Sequence, residues 1–262
     1  MKYKILALDV DGTLLNKEHQ LTQENLKAIK RIKKLGVKVI LVTGRDVSAL
    51  KSIIQELELE DIVITQNGSV ILNCDGSIIL REKLISKENC KRIISYCKKN
   101  NMKPLLYQKN GICSEITGPY LDIFEKCMKQ KVIFCKDIER CYEGEPLGKI
   151  LILDSPESVI ETKRWLEDTF KGMVSAELAY DFSLEIGGSS KVEALKWVAE
   201  FYGIKSEQII AIGDGENDKE MLKYAGLGVA MGNAMDRVKK SADKVTLSND
   251  ENGVAYAIYQ WM

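Results

Sequence analysis

The run Ile5-Leu6-Ala7-Leu8-Asp9-Val10-Asp11-Gly12-Thr13-Leu14 decides the fold. Residues 5–8, in the stretch 3–8 predicted as a strand, are apolar without alternation, as in a strand covered on both faces within a parallel sheet. Directly after them come two carboxylates and a Gly-Thr pair, at the carboxyl end of the strand, where open α/β sheets bind their ligands. Working outward, Leu26, Ile29, Ile32 and Leu35 keep helical spacing over residues 21–35, with Thr22 as N-cap and Gly36 as stop. Residues 37–42 predict a second buried strand, 47–57 a second helix and 62–65 a third strand. Such alternation implies right-handed crossovers and a doubly wound, Rossmann-like parallel sheet. Asn67-Gly68 and Asp75-Gly76 then read as turns between short antiparallel strands.

The same rhythm returns near the end of the chain. A helix is predicted over 191–202, a strand over 209–212 and a helix over 219–224. Strands at 227–230 and 244–247 and a helix over 254–261 follow. Residues 84–187 behave differently, with helices at 87–100, 120–129 and 157–170 among strands near 103–107, 112–114, 149–153, 173–177 and 182–186. This is an α+β segment inserted into an α/β frame. The expected organisation is a core of residues 1–83 and 188–262 and an inserted domain of residues 84–187.

Composition narrows the function. A chain of 262 residues is long enough for two modest domains. Its 38 basic and 38 acidic residues cancel, so no net positive field gathers nucleic acid or an anionic membrane, and anion binding must be local. No apolar run approaches the ~20 residues of a membrane helix, and the opening residues read as a strand rather than a secretory signal. Seven cysteines without a Cys-x-x-Cys pair point to reduced thiols in a cytoplasmic protein. Those at Cys90, Cys97 and Cys127 read as small buried hydrophobes. The single histidine, His19, lies in a polar stretch. A Ser-His-Asp hydrolase, a His-rich zinc site or a His phosphocarrier would depend on it alone, and no direct role is expected of it.

Four strand ends carry chemistry. Asp9 and Asp11 would repel each other unless a cation sits between them, and oxygen-only ligands suit Mg²⁺. A plain Asp-Gly-Thr turn would look the same in isolation. Thr43-Gly44-Arg45, after the second strand, offers a hydroxyl and backbone N–H groups at a helix start, a common anion site. Gly213-Asp214-Gly215-Glu216-Asn217-Asp218 adds carboxylates at the same sheet edge. It is no dinucleotide loop, because Asp218 stands where the third glycine belongs. Lys191, after Gly187-Gly188-Ser189-Ser190, opens a helix against its dipole, a placement useful only if an anion needs it. Together these are the parts of phosphoryl transfer.

The set resembles the haloacid dehalogenase superfamily, whose four motifs fall in order on Asp9-x-Asp11-Gly12-Thr13, Thr43, Lys191 and Asp214 to Asp218. The large insertion is similar to the type IIB (C2B) cap of the Cof-like phosphatases, and Asn67-Gly68 and Gly44-Arg45 fit that subfamily. One departure is Val192, where the subfamily usually has glycine. The resemblance implies a Mg²⁺-dependent phosphatase acting on small phosphorylated metabolites such as sugar phosphates. Asp9 would be the nucleophile and Asp11 the general acid and base. Asp9, the Asp11 backbone carbonyl and Asp214 would hold Mg²⁺. Thr43, Lys191 and Asn217 would bind phosphate, helped by backbone N–H groups near Val10 and Gly44, and Asp218 would orient Lys191. The cap would close over the site and set specificity. Two other uses of such a set stay open at this point: a phosphosugar mutase with the same phospho-aspartate, and a phosphoacceptor signalling domain.

Overall fold

Continuous apolar runs become the middle strands of a parallel sheet. The computed structural model describes residues 2–128 and 130–262, and the side chains of all of these except 127, 128 and 179. In chain order the first elements are β1 (Ile5–Leu8), α1 (Gln23–Lys34), β2 (Lys38–Val42), α2 (Lys51–Leu57), β3 (Ile62–Thr65), β4 (Val70–Asn73) and β5 (Ile79–Glu82). Next come α3 (Lys87–Lys99), β6 (Leu105–Gln108), β7 (Gly111–Ser114), α4 (Pro119–Met128), β8 (Val132–Phe134) and α5 (Ile138–Cys141). Then follow β9 (Lys149–Leu153), α6 (Pro156–Phe170), β10 (Ser175–Tyr180) and β11 (Ser183–Gly187). The last are α7 (Lys191–Phe201), β12 (Ile209–Gly213), α8 (Lys219–Tyr224), β13 (Leu227–Ala230), α9 (Asp236–Lys239), β14 (Lys244–Val245) and α10 (Gly253–Trp261). They form two compact units, Met1–Glu82 with Ser190–Met262, and Lys83–Ser189.

The first unit is built on an eight-stranded sheet of order β14-β13-β12-β1-β2-β3-β4-β5. Strands β14 to β3 pair in parallel, and β4 and β5 continue the sheet antiparallel. Strand β1 is central: Ile5 stands opposite Ile209 of β12 on one side and Lys38 of β2 on the other. The chain leaves β1 toward β2 and later returns to β12, so the order reverses at the carboxyl end of β1 and opens a crevice there. This is the doubly wound sheet that the alternating pattern predicts. Helix α1 starts where Thr22 accepts the Asn25 N–H and ends before Gly36 at φ +82°. The helix predicted over 47–57 begins instead as a 3₁₀ turn, Val47–Leu50, because the Asp46 side chain accepts the Ser48 N–H and tightens the first turn.

The joint between β3 and β4 departs from an ordinary hairpin. Gln66, Asn67 and Gly68 in succession hold φ of 48°, 53° and 97°. Left-handed backbone at the two non-glycine residues costs about 1 kcal/mol or more apiece and persists only where the surroundings impose it.

The second unit has a six-stranded sheet of order β10-β11-β9-β6-β7-β8, antiparallel except for the β7–β8 pair. Helices α3 and α6 bury Ile93, Ile94, Cys97, Leu166 and Phe170 against Ile150, Ile152, Leu184 and Ile186. Two elements lie outside the sequence expectations. Strand β8 has three residues and exposes Ile133 and Phe134, too short for a period to emerge, and α5 is a single turn capped by Asp137. Lys129, the end of the helix predicted over 120–129, lies outside the described residues, as does the Cys127 side chain. Five of the other cysteines are buried and Cys141 is partly so. Burial pushes the Cys74 and Cys97 thiols up to about 12, which leaves them protonated and inert. Among the described residues no helix is long and apolar enough to cross a membrane.

Candidate active site

The crevice fills from the tip of β1. The Asp9 N–H donates to the Ile212 carbonyl at 3.0 Å, so strand pairing runs one residue past Leu8 and sets the Asp9 side chain between the ends of β1 and β12. Val10 is buried beneath it. The chain then turns at Gly12 (φ +79°), where a Cβ would stand 2.3 Å from Asp214 Oδ2. Only glycine lets this loop close on that carboxylate. Thr13 Oγ1 donates to Asp214 Oδ1 at 2.7 Å and ties the loop after β1 to the loop after β12.

Lys191, at the first turn of α7, reaches into the same place. Its Nζ donates to Asp9 Oδ1 and to Asp218 Oδ1, each at 2.7 Å. All three side chains are almost wholly buried. The second oxygen of Asp218 accepts the N–H groups of Asp214 (3.0 Å) and Gly215 (2.9 Å), so Asp218 pins Lys191 while bracing its own loop. A buried ammonium would ordinarily lose its proton. Here the Asp218 and Asp9 charges outweigh burial and hold Lys191 above its usual range.

The carboxylates pay the opposite penalty. Burial raises Asp9 well above the ordinary carboxylate range; Lys191 opposes that, while the charges of Asp218 and Asp214 add to it. Asp214 is pushed up to about 7, by burial first and then by the Asp218 charge. Oxygens of Asp9, Asp214 and Asp218 lie within 4.8 Å of one another, the one such acidic cluster among the described residues. Crowded hard oxygen donors are what a divalent cation relieves. The residues therefore fit a metal by donor type, spacing and charge.

Asp11 faces elsewhere. Its two carboxylate oxygens take a forked pair of hydrogen bonds from Arg45, Nε to Oδ2 at 2.7 Å and a terminal nitrogen to Oδ1 at 2.6 Å. His19 Nδ1 stands 3.6 Å from the same Oδ1. Thr43, at the end of β2, is buried, and its Oγ1 accepts the Arg45 N–H. Asn217 Nδ2 donates to Asn67 Oδ1 at 3.3 Å. The loops after β1, β2 and β12 and the start of α7 thus bring Asp9, Thr43, Lys191, Asp214 and Asp218 to one sheet edge. Asp11 is set apart on Arg45.

Three side chains beside the site were given no role by the sequence reading. Arg45 was visible in Thr43-Gly44-Arg45, but nothing in the motif says that its guanidinium reaches Asp11. Asn233 donates to the Gly12 carbonyl at 2.8 Å and accepts the Asn249 N–H at 3.0 Å. Its signal was a polar residue just after β13, on the same edge. For His19 the polar stretch held no signal at all.

Comparison with known proteins agrees in scale and kind. The sequence model for haloacid dehalogenase-like hydrolases matches residues 6–258. The chain is similar to a 5-amino-6-(5-phospho-D-ribitylamino)uracil phosphatase of Bacillus subtilis, 31% identical over 99% of this chain and 96% of the relative. It is similar to the phosphatase YwpJ of the same organism, 32% identical over 97% of this chain and 98% of the relative. Among solved structures it is similar to the subclass IIB sugar phosphatase BT4131, with a TM-score of 0.85, 26% identity and 98% of each chain covered.

Proposed function

The chain belongs to the haloacid dehalogenase-like hydrolases and is a phosphoric monoester hydrolase. On that premise we propose that it hydrolyses small phosphorylated metabolites, sugar phosphates or similar, through a phosphoryl-enzyme intermediate on Asp9 with Mg²⁺ as cofactor. The observation that carries the reading is Lys191, held at 2.7 Å from both Asp9 and Asp218 beside a cluster of three carboxylates.

In this reading an Asp9 oxygen attacks phosphorus, and the bond to the ester oxygen breaks as the acyl phosphate forms. Asp11 gives its proton to the departing oxygen, then takes one from the water that cleaves the acyl phosphate and frees inorganic phosphate. Arg45 engages both Asp11 oxygens and so orients the carboxyl, while each oxygen keeps a second lone pair on which the transferred proton can be carried. Thr43, Lys191, Asn217 and backbone N–H groups near Val10 and Gly44 hold the phosphate oxygens. Asp218 keeps Lys191 in place. Asp9, Asp214 and the Asp11 carbonyl are assigned to Mg²⁺, which when bound offsets the charge between carboxylate and phosphate. Substrate choice is assigned to the inserted unit.

A screen of phosphorylated metabolites with Mg²⁺, wild type against Asp9→Asn, tests the proposal. Release of inorganic phosphate by the wild type alone is the expected result. Return of the phosphoryl group to another position of a hexose phosphate would indicate a mutase. A long-lived phosphoprotein after acetyl phosphate would indicate a signalling domain. Normal turnover by Asp9→Asn would refute the nucleophile assignment.

A further inference from the structure

The corner Gln66-Asn67-Gly68 takes no part in the chemistry just proposed, yet its strained backbone is imposed from outside. The Gln66 N–H donates to the Arg45 carbonyl at 3.0 Å and the Asn67 N–H to the Thr43 carbonyl at 2.9 Å. Both bonds dock the corner on the loop after β2. Gly68 packs on the start of α7 so closely that a Cβ there would stand 2.2 Å from the Ser190 carbonyl oxygen, next to Lys191. The Asn67 side chain is 4% exposed, and its Oδ1 accepts from Asn217 Nδ2 at 3.3 Å. One corner thus touches each segment that carries Thr43, Lys191 or Asn217.

We infer that Asn67 is a positioning residue of the phosphate subsite. Its backbone N–H sets the end of β2, and its amide oxygen fixes the plane of the Asn217 amide. A primary amide carries two donors on one nitrogen, so directing one of them sets where the other points. Left-handed backbone at Asn67 aims the side chain inward, as asparagine tolerates better than most residues. The inference rests on the phosphatase reading, because it takes Thr43, Lys191 and Asn217 as the phosphate ligands.

Asn67→Gly tests it. Glycine suits the left-handed backbone better than asparagine and removes only the amide. Two measurements read phosphate affinity: the Ki of inorganic phosphate as a product inhibitor, and the rise in melting temperature that phosphate causes in Mg²⁺, which needs no turnover. Each should show binding weakened about tenfold, with at most a few degrees' fall in the melting temperature of the unliganded protein, since relief of the left-handed backbone offsets part of the lost amide contact. In a cycle with Asn217→Ala, the double variant should bind phosphate no more weakly than Asn217→Ala alone. Unchanged phosphate affinity in Asn67→Gly, or additive losses in the cycle, would overturn the inference. So would loss of a cooperative melt, since the corner would then build the fold rather than place an amide. A wild type that binds phosphate but cleaves no ester would instead sink the phosphatase reading and leave the role of Asn67 standing.

Discussion

Asp9 is useful because it is uncomfortable. Burial and two neighbouring carboxylates raise its free energy as an anion, and Lys191 offsets only part of that. A cation and a phosphorus atom can relieve the rest. Asp9→Asn keeps the shape and removes the proposed nucleophile, so turnover should fall on the order of 10³-fold or more with the fold intact. The forked Arg45 contact fixes Asp11, the proposed acid. Arg45→Ala should lower kcat/KM on the order of tenfold or more for alkyl phosphates, whose departing oxygen needs a proton. It should lower it less for p-nitrophenyl phosphate, which leaves unaided; equal losses on both would count against the contact. Asp214 gives a pH dependence. Its carboxyl sits at about 7 against an ordinary 3.8. Between those values the folded, cation-free chain holds a proton that the unfolded chain has released. The contribution of this group to stability is therefore full below about pH 4 and is lost as pH rises toward about 7. In the proposed reading Mg²⁺ is held by the deprotonated group, so it should raise the melting temperature more at about pH 8 than at about pH 5. Equal shifts at both pH values would contradict this, and Asp214→Asn should lose the effect.

At the scale of the element, helix α7 shows how a helix end becomes part of a site. Ser190 caps it by accepting the Glu193 N–H at 3.4 Å, which sets Lys191 as its first residue. The cap holds Lys191 in register against an unfavourable dipole. Ser190→Ala should cost about 1 kcal/mol, a fall in melting temperature of roughly 2–4 °C in a chain of this size. Differential scanning calorimetry would read that fall, and a lowered phosphate affinity should accompany it. Val192, one residue on, packs partly buried against the core of the first unit. A valine therefore serves here as a packing residue without disturbing the cap. Strand β1 carries the opposite lesson. Its four residues are fully buried between β12 and β2, so the position of Asp9 is as rigid as the middle of the sheet.

Over the whole molecule, the described residues pack into separate hydrophobic clusters within each unit, among them one in the first unit and two in the second. Phe170 is fully buried in the core of the second unit. Phe170→Ala should cost about 3–5 kcal/mol there. Hydrogen exchange should show the added opening confined to Lys83–Ser189, with protection of the first unit unchanged. Equal loss of protection in β1 and β12 would mean that the cores do not act separately.

Local patterns were enough for the strands, helices and sheet class. Apolar runs such as Ile5 to Leu8 can be satisfied only by burial, and burial on both faces demands a doubly wound sheet. The same reading missed β8 and α5, because three or four residues do not make a period. Residue types at the strand ends, Asp9-x-Asp11, Thr43, Lys191 and Asp214 to Asp218, were legible as phosphoryl chemistry because strand ends of such sheets converge. Pairings between those side chains were not. That Arg45 grips Asp11, that His19 stands beside it, and that Asn67 holds Asn217 across 150 positions follow from three-dimensional distances. Periodicity reports what a segment buries. Which buried polar group meets which is decided only when the segments pack, because a hydrogen bond depends on separations of a few tenths of an ångström that no spacing along the chain encodes.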